Sequence, residues 1–279
     1  MTLPTLELSD KDFTRLAQFI NGYSGIRMPA SKRAMVEGRL RRRLVRHGFD
    51  DFGSYCRYLF EGGGMADEAV HIIDAVTTNK TEFFREPDHF DFLAEKVLPD
   101  LLRGRDAPSL KLWSAACSVG AEPYSLAMLL AERIRQSGRE IRCSILATDL
   151  CIEVLEKAIA GIYSEEMIRP IPLELRRRYL LRSRDPETRL VRISPDLRRL
   201  VRFSRLNLMD DHYDVDPGFH IIFCRNVLIY FSRADQERVL GRLAAHLAPG
   251  GYLFLGHSET VAGLDLPLRP AGPTVFIKS

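Results

Sequence analysis

The sequence predicts a doubly wound, Rossmann-like α/β sheet with a small antiparallel β insert, preceded by an all-α N-terminal domain. Three observations predict it. Leu110 to Ala127, LKLWSAACSVGAEPYSLA, reads as a strand, a turn of small residues and a helix start. Those are the parts of a nucleotide-type pocket at the edge of such a sheet. Further on, Cys143 to Leu150, CSILATDL, reads as a buried strand with Asp149 at its tip. Before both, residues 1 to about 75 show helical spacing of apolar positions.

A chain of 279 residues can bury a good core and is long enough for two domains. No apolar run approaches the roughly 20 residues of a membrane span, so membrane insertion is not expected. The start, MTLPTLELSDKDF, lacks the apolar core of a signal peptide. The cysteines Cys56, Cys117, Cys143, Cys151 and Cys224 are odd in number and form no CxxC. Free thiols in a reducing cytoplasm are expected. The histidines show no ligand spacing with one another or with cysteine, so no metal is expected. A monomer is the default.

Taken in order, the first helix starts at Ser9 or Asp10, with Phe13, Leu16, Ala17 and Ile20 at helical spacing. Asn21-Gly22 and Gly25 are expected to stop it. The second runs from Ser31 to His47, with Val36, Leu40 and Leu44 as its apolar stripe and Gly48 beyond its end. Arg39, Arg42 and Arg46 share another face with Arg43 on its flank, against the single acid Glu37. That face reads as solvated surface or as a docking site for an anionic partner: protein helix, nucleic acid or membrane surface. No aromatics alternate with the arginines, so stacking on single strands has little support. A third helix passes through Phe52, Tyr55, Leu59 and Phe60 to Gly62-Gly63-Gly64. A fourth covers Asp67 to Ala75.

Thr77 to Pro87, TTNKTEFFREP, is unusual for a linker. Phe83 and Phe84 are expected to anchor it, which would hold Asn79, Thr81 and Arg85 in fixed directions. A capped interdomain connection is the plainer reading. Phe90 to Leu101 reads as a helix leading into the sheet. The strand at Leu110 follows, then a helix over Glu122 to Ser137 with Pro123 near its start. After the Cys143 strand, Ile152 to Gly161 forms a helix. Asp149 alone reads as its N-cap; at a second strand tip it is also placed to take ribose hydroxyls.

The βα rhythm then breaks. Ile162 to about Leu206 carries an arginine-rich helix, Glu174 to Leu181, a turn at Asp185-Pro186, and short strands Leu190 to Ile193 and Val201 to Phe203. An antiparallel insert is expected there. His220 to Cys224 is a buried strand ending at Arg225-Asn226. Ser232 caps a helix from Arg233 to Leu247. Pro249-Gly250-Gly251 turns into the strand Tyr252 to Leu255, and Val275 to Lys278 ends the sheet after a Pro/Gly-rich connection, Leu264 to Pro273. Strand tips at Gly120, Asp149, Asn207 and Asn226 would gather at one carboxyl edge, where open α/β sheets bind ligands.

The stretches TTNKTEFFRE, SAACSVGAEPYSLAM, ATDL, NLM, FCRNVLIYF and GHSE, in this order, resemble the CheR-type chemotaxis receptor glutamate methyltransferases over nearly the whole chain. The resemblance implies a helical N-terminal domain over residues 1–76 with a basic receptor-docking face, and an active-site segment over 77–95. An S-adenosylmethionine-dependent methyltransferase domain would span 96–279, with its β insert at about 162–205. It implies methyl transfer from S-adenosylmethionine to glutamate carboxylates of chemotaxis receptors, whose acidic cytoplasmic helices would be the partners. S-adenosylhomocysteine would be the product.

By the same resemblance Asn79, Thr81 and Arg85 would touch the cofactor, Glu122 its amino-acid end, Asp149 the ribose and Asn207-Leu208 the adenine. Cys224, Arg225 and Asn226 would close the pocket. Arg85 and Tyr230 would be catalytic, and Arg39, Arg42, Arg43 and Arg46 would meet the partner. Two departures stand out. The family usually has two acids where this chain has Ala121-Glu122, and threonine at Val119. The insert loop Arg182 to Arg189 has no glycine, unlike members that grip a receptor's C-terminal peptide by strand addition. The alternatives are a nucleic-acid methyltransferase with its arginines on phosphate, and a non-catalytic adaptor that senses the cofactor. Against the first stands the lack of an Asn-Pro-Pro-aromatic motif.

Overall fold

Ser9 accepts the amide of Asp12 at 3.1 Å and starts helix α1, Asp10–Ser24. Asp10 and Asp12 in its first turn suit the positive end of the helix dipole. The helix ends where Gly25 takes a left-handed φ of 73°; Asn21-Gly22, expected to stop it, lie inside it. These contacts belong to a computed structural model that describes residues 7–103, 109–138 and 140–279. The leader reading at Met1 to Leu6 lies outside the described residues.

The chain divides into two units, residues 1–78 with 230–235, and residues 79–229 with 236–279. In the first, α2 covers Arg33–His47, after a 3-10 turn at Ala30–Lys32, and ends at a left-handed Gly48. Asp51 caps α3, Phe52–Phe60, through the Ser54 amide at 2.8 Å, and α4 spans Met65–Val76. Phe13, Leu16 and Ile20 of α1, Val36, Leu40 and Leu44 of α2, Phe52, Tyr55 and Leu59 of α3 and Ile72, Ile73 and Val76 of α4 are all buried. Each such side chain removed from water contributes about 1.5–3 kcal/mol. Among them lies a charged residue, Glu68, 1% exposed. It accepts from Arg43 and from Tyr55 Oη at 2.7 Å, and contacts His47 Nε2 at 2.8 Å. The stretch 230–235 joins this unit through the Arg27 amide, which donates to the Tyr230 carbonyl at 3.2 Å.

The second unit opens with one helical run: α5, Pro87–Phe92, a π turn at Leu93–Val97, and α6, Leu98–Leu102. Then come β1, Ser109–Ala115, α7, Ala121–Ser137, β2, Arg142–Asp149, and α8, Ile152–Ala160. The insert holds β3, Ile162–Ser164, α9, Leu173–Tyr179, β4, Leu180–Arg182, and β5, Leu190–Ile193. They are followed by α10, Pro195–Leu200, β6, Val201–Arg205, β7, Phe219–Cys224, α11, Arg233–His246, β8, Leu247–Leu255, β9, Leu268–Gly272, and β10, Val275–Lys278. The large sheet has the order β6-β2-β1-β7-β8-β10-β9. The strands from β6 to β8 are parallel; at the far side β10 runs antiparallel to β8, and β9 antiparallel to β10. From β1 the chain winds out through β2 to β6, then returns to β7 on the other side of β1. That reversal is a topological switch point. Phe223 and Phe254, paired across β7 and β8, stack 4.3 Å apart in its core.

Four further expectations are corrected. Val201 to Phe203 was expected in the insert, but it begins β6, which pairs with β2 from Ile145↔Val201 to Asp149↔Arg205. Its polar residues are those of an edge strand of the large sheet, and from sequence they read like one side of a hairpin. The insert is instead β3-β5-β4, all antiparallel. Leu180-Leu181, expected to finish the arginine-rich helix, belong to β4. The Pro/Gly-rich connection contains β9, where Pro270 is tolerated because the strand lies at the sheet edge. Pro249-Gly250-Gly251 likewise fall within β8 rather than before it.

Candidate functional site

Strand register puts every functional tip of the large sheet on one edge. Ala115 pairs with Thr148 and with Cys224, Asp149 with Arg205, and Cys224 with Leu255. The residues that follow these positions therefore emerge together, on both sides of the switch point.

The turn after β1 is built from left-handed residues: Ala116 at φ 62°, Ser118 at 52° and Gly120 at 88°. Left-handed conformations at the two non-glycine residues cost of order 1–3 kcal/mol each, and the surroundings hold them. The Cys117 amide donates to the Thr148 carbonyl at 2.9 Å, and the Ser118 amide to Asp149 Oδ2 at 2.8 Å. A Cβ at Gly120 would lie 2.9 Å from Ala158 Cβ and 3.0 Å from Tyr163 Oη, so only glycine lets the turn pack there. Alternation of this kind aims successive amides into a concave surface.

Asp149 accepts the Ser118 amide through one oxygen and the Cys151 amide, at 2.9 Å, through the other. It is a tie between two strand tips, not a simple N-cap of α8. Glu122, in the first turn of α7, accepts from Ser114 Oγ at 2.6 Å and from Arg225 Nε at 2.7 Å. Both carboxylates are buried.

Arg225 is 6% exposed. Its Nη1 reaches the Arg85 carbonyl at 2.9 Å, Glu86 Oε2 at 3.3 Å and His89 Nδ1 at 3.0 Å. A guanidinium only donates, so His89 Nδ1 is bare and the ring proton sits on Nε2, 2.9 Å from Thr274 Oγ1. Burial, with the neighbouring Arg225 charge, pushes the His89 pKa down to about 4, so the ring is neutral. Glu86 also accepts from Asn226 Nδ2 at 3.0 Å. Burial raises its pKa, but Asn226 and Arg225 outweigh that and hold the group below the usual carboxylate range.

The 79–86 segment is pinned as expected. Phe83 is fully buried and meets the Tyr163 ring edge-on at 5.0 Å; the Phe84 amide donates to Ser125 Oγ at 2.9 Å. The Asn79 carbonyl accepts from Ser118 Oγ at 3.0 Å. Thr81 and Arg85 are half-buried, and Arg85 Nη1 donates to the Lys80 carbonyl at 3.1 Å. After β6, Asn207 Oδ1 accepts the Met209 amide at 3.0 Å, and the Leu208 carbonyl accepts from Tyr213 Oη at 2.7 Å. Cys224 is fully buried. Burial pushes the thiols of Cys117 and Cys224 well up, which leaves both inert as nucleophiles.

The fold thus gathers Asn79, Thr81, Arg85, Glu122, Asp149, Asn207, Leu208, Cys224, Arg225 and Asn226 in the sheet unit. Tyr230 lies in the helical unit, with Lys32 Nζ 5.6 Å from its ring centre. The arginine face of α2 is divided. Arg39 Nη1 donates to the carbonyls of Val76 and Thr77, at 2.8 and 2.7 Å, and Arg43 binds Glu68. Arg42 and Arg46 are exposed, beside exposed Arg41 and Val45.

Glu86, His89, His257 and Glu259 were not singled out from sequence. Glu86 and Glu259 stood in recognised motifs, as the last letters of TTNKTEFFRE and GHSE. His89 and His257 are far apart in the chain, yet with Glu86 they bring possible metal-ligand atoms within 4.8 Å of one another. The Arg225 guanidinium already lies against Glu86 and His89 and supplies the positive charge there.

A switch point with two buried carboxylates beside a turn of small residues has the form of a nucleoside-binding edge, and the matches to known proteins make it that of an S-adenosylmethionine-dependent methyltransferase. Residues 79–276 match the CheR methyltransferase SAM-binding domain, and residues 11–77 its all-alpha domain. The chain is 41% identical over 274 residues to the chemotaxis protein methyltransferase of Salmonella typhimurium, covering 98% of this chain and 92% of that one. To that of Escherichia coli K12 it is 40% identical over 274 residues, covering 98% and 93%. To that of Borreliella burgdorferi it is 36% identical over 261 residues, covering 92% and 91%. The chain belongs to the CheR methyltransferase family.

The residues present fit S-adenosylmethionine. Small side chains after β1 admit close backbone approach. Glu122 suits an ammonium, Asp149 suits a ribose diol, and their fixed donors keep both carboxylates oriented.

Proposed function

We propose that the chain methylates glutamate side-chain carboxylates of chemotaxis receptors, forming glutamyl methyl esters. The observation that carries this reading is the pair Glu122 and Asp149, held at the sheet edge on either side of the β1 turn. The relatives' printed name, chemotaxis protein methyltransferase, supports a substrate among the chemotaxis proteins. When bound, S-adenosylmethionine supplies an activated methyl group on a sulfonium. Glu122 would hold its amino-acid end, Asp149 its ribose and Asn207-Leu208 its adenine, while Asn79, Thr81 and Arg85 line the reaction centre. Arg225 keeps Glu122 in place from a buried position, and Cys224, Arg225 and Asn226 form the β7 side of the pocket. Residues 77–95 would act as the active-site segment between the helical and methyltransferase domains.

A glutamate nucleophile has a reference pKa of about 4.3 and arrives ionised, so it needs no general base. That suits an edge where His89 is engaged on both nitrogens and the thiols are buried. Rate would come from placing the carboxylate in line with the methyl group. Opposite charges are neutralised as the methyl moves, so excluding water favours the transfer. Arg85 would aim the carboxylate with a two-pronged contact. Tyr230 is the second catalytic proposal, carried by the family pattern. The exposed Arg42 and Arg46 of α2 would meet the acidic receptor helices; Arg39 and Arg43 would set the helix from within.

The test is tritiated S-adenosylmethionine with receptor-bearing membranes, scored for methanol released by base. Base-labile label is expected. Label that survives base would mean methylated nitrogen and would refute the reading.

A further inference from the structure

Glu259 is a buried carboxylate with an unusual set of partners. It lies in Gly256-His257-Ser258-Glu259, just after β8, and is 5% exposed. One oxygen accepts the amides of Asn226 at 2.9 Å and Gly256 at 2.7 Å; the other accepts those of Val227 at 2.9 Å and Leu228 at 2.7 Å. Among the described residues no cation pairs with it. Burying an ionised carboxylate is costly, and burial pushes the pKa of this one upward against the pull of the four amides. A role in holding something else explains its presence better than a gain in general stability.

What it holds is the loop after β7. Asn226 has a left-handed φ of 58°, and its side chain is tied to Glu86. The Asn226 amide and the next two all converge on Glu259, which fixes the direction in which the chain leaves the strand. The two loops interlock closely: a Cβ at Gly256 would lie 2.5 Å from Asn226 Nδ2 and 2.9 Å from Asn226 N. β7 adjoins β1 across the switch point, so this loop is the wall that faces the β1 turn.

We propose that Glu259 is a positioning residue for S-adenosylmethionine: by gathering the amides of Asn226, Val227 and Leu228 it sets the β7 wall of the cofactor crevice. The inference rests on the cofactor site proposed above. It requires the carboxylate and not merely its volume. A glutamine offers one acceptor oxygen and an NH2 that only donates, so half of the converging amides would face a donor.

Cofactor affinity and amide exchange in the full chain provide the test, with Glu259→Gln, Gly256→Ala and Asp149→Ala compared by calorimetry using S-adenosylhomocysteine. Glu259→Gln is expected to raise Kd about tenfold or more, the scale of losing a charge-assisted hydrogen bond. Amides 226–228 should lose protection while those of β1 and β2 keep theirs, and KM for the cofactor should rise by more than kcat falls. Gly256→Ala disturbs the same loop from its other side and should raise Kd as well, which keeps the inference open to test if the glutamine variant does not fold. Wild-type affinity in either variant, with Asp149→Ala weakened, would overturn the role of Glu259 and leave the crevice standing. Wild-type affinity in all three would remove the crevice and this role with it. Loss of affinity with a uniform loss of protection through the sheet would also overturn it, because the carboxylate would then serve the fold alone.

Discussion

At the scale of single residues, the site is a set of carboxylates whose directions are fixed by donors. Glu122 has Ser114 and Arg225; Asp149 has two backbone amides; Glu86 has Arg225 and Asn226. The Arg85 side chain differs: among the described residues it is tied to no carboxylate, and its hydrogen bond runs to the carbonyl of nearby Lys80. Arg85→Ala is therefore expected to keep cofactor affinity within a few-fold while methyl transfer drops by about 100-fold or more, the scale of lost orientation. Calorimetry and a transfer assay on one preparation separate the two; lost affinity would make Arg85 a cofactor-holding residue. Asp149→Ala should weaken S-adenosylhomocysteine binding about tenfold or more, and unchanged affinity would remove it from the ribose site. His89 gives a prediction with a sign. Its folded pKa of about 4 lies below the ordinary 6.5, so the unfolded chain takes up the proton first. The stability that this ring contributes is complete above about pH 6.5 and is lost as pH falls toward 4. His89→Gln should flatten the pH dependence of Tm over that window; an unchanged slope would contradict the assignment.

At the scale of elements, α2 is held from within by the charges that its composition advertises outward. Burial would raise the Glu68 pKa, but bonds from Arg43, Tyr55 and His47 hold it down at about 2. Removing one side of a buried, hydrogen-bonded pair costs about 3–5 kcal/mol, so Glu68→Gln is expected to destabilise the helical unit by that order in denaturant titration. A change below ~0.5 kcal/mol, the scale of ordinary surface substitutions, would show that the network is not structural. Much of this element was legible. The apolar stripe Val36, Leu40, Leu44 and the stop at Gly48 were read correctly because a helix imposes its period on the sequence. The division of its arginines was not, because the partner Glu68 lies on another helix and spacing along α2 carries no trace of it. For the same reason Val201 to Phe203 was misplaced: a short alternating strand looks alike in a hairpin and at a sheet edge, and only pairing with β2 decides.

At the scale of the whole molecule, the formal charge is only +3, so attraction to an acidic partner depends on where the exposed arginines lie. Exchanging Arg42 and Arg46 together for glutamate should raise the KM for receptors several-fold and leave cofactor affinity unchanged; unaltered receptor kinetics would place docking elsewhere. The order of motifs along the chain revealed the class of fold, because strand, small-residue turn and helix recur at the tips that carry function. The Glu86, His89 and Arg225 network was hidden, since its members meet across β7 and the segment before β1. Glu259 was hidden too: its partners are backbone amides, which have no letters in a sequence.

In the proposed function, the sheet edge between the β1 turn and the tips of β2 and β7 receives the sulfonium nucleoside. A crystal structure with S-adenosylhomocysteine tests it most directly. Ribose hydroxyls on Asp149 and the amino-acid end at Glu122 are the expected result. A nucleoside bound elsewhere, with Asp149 facing no hydroxyl, would contradict it.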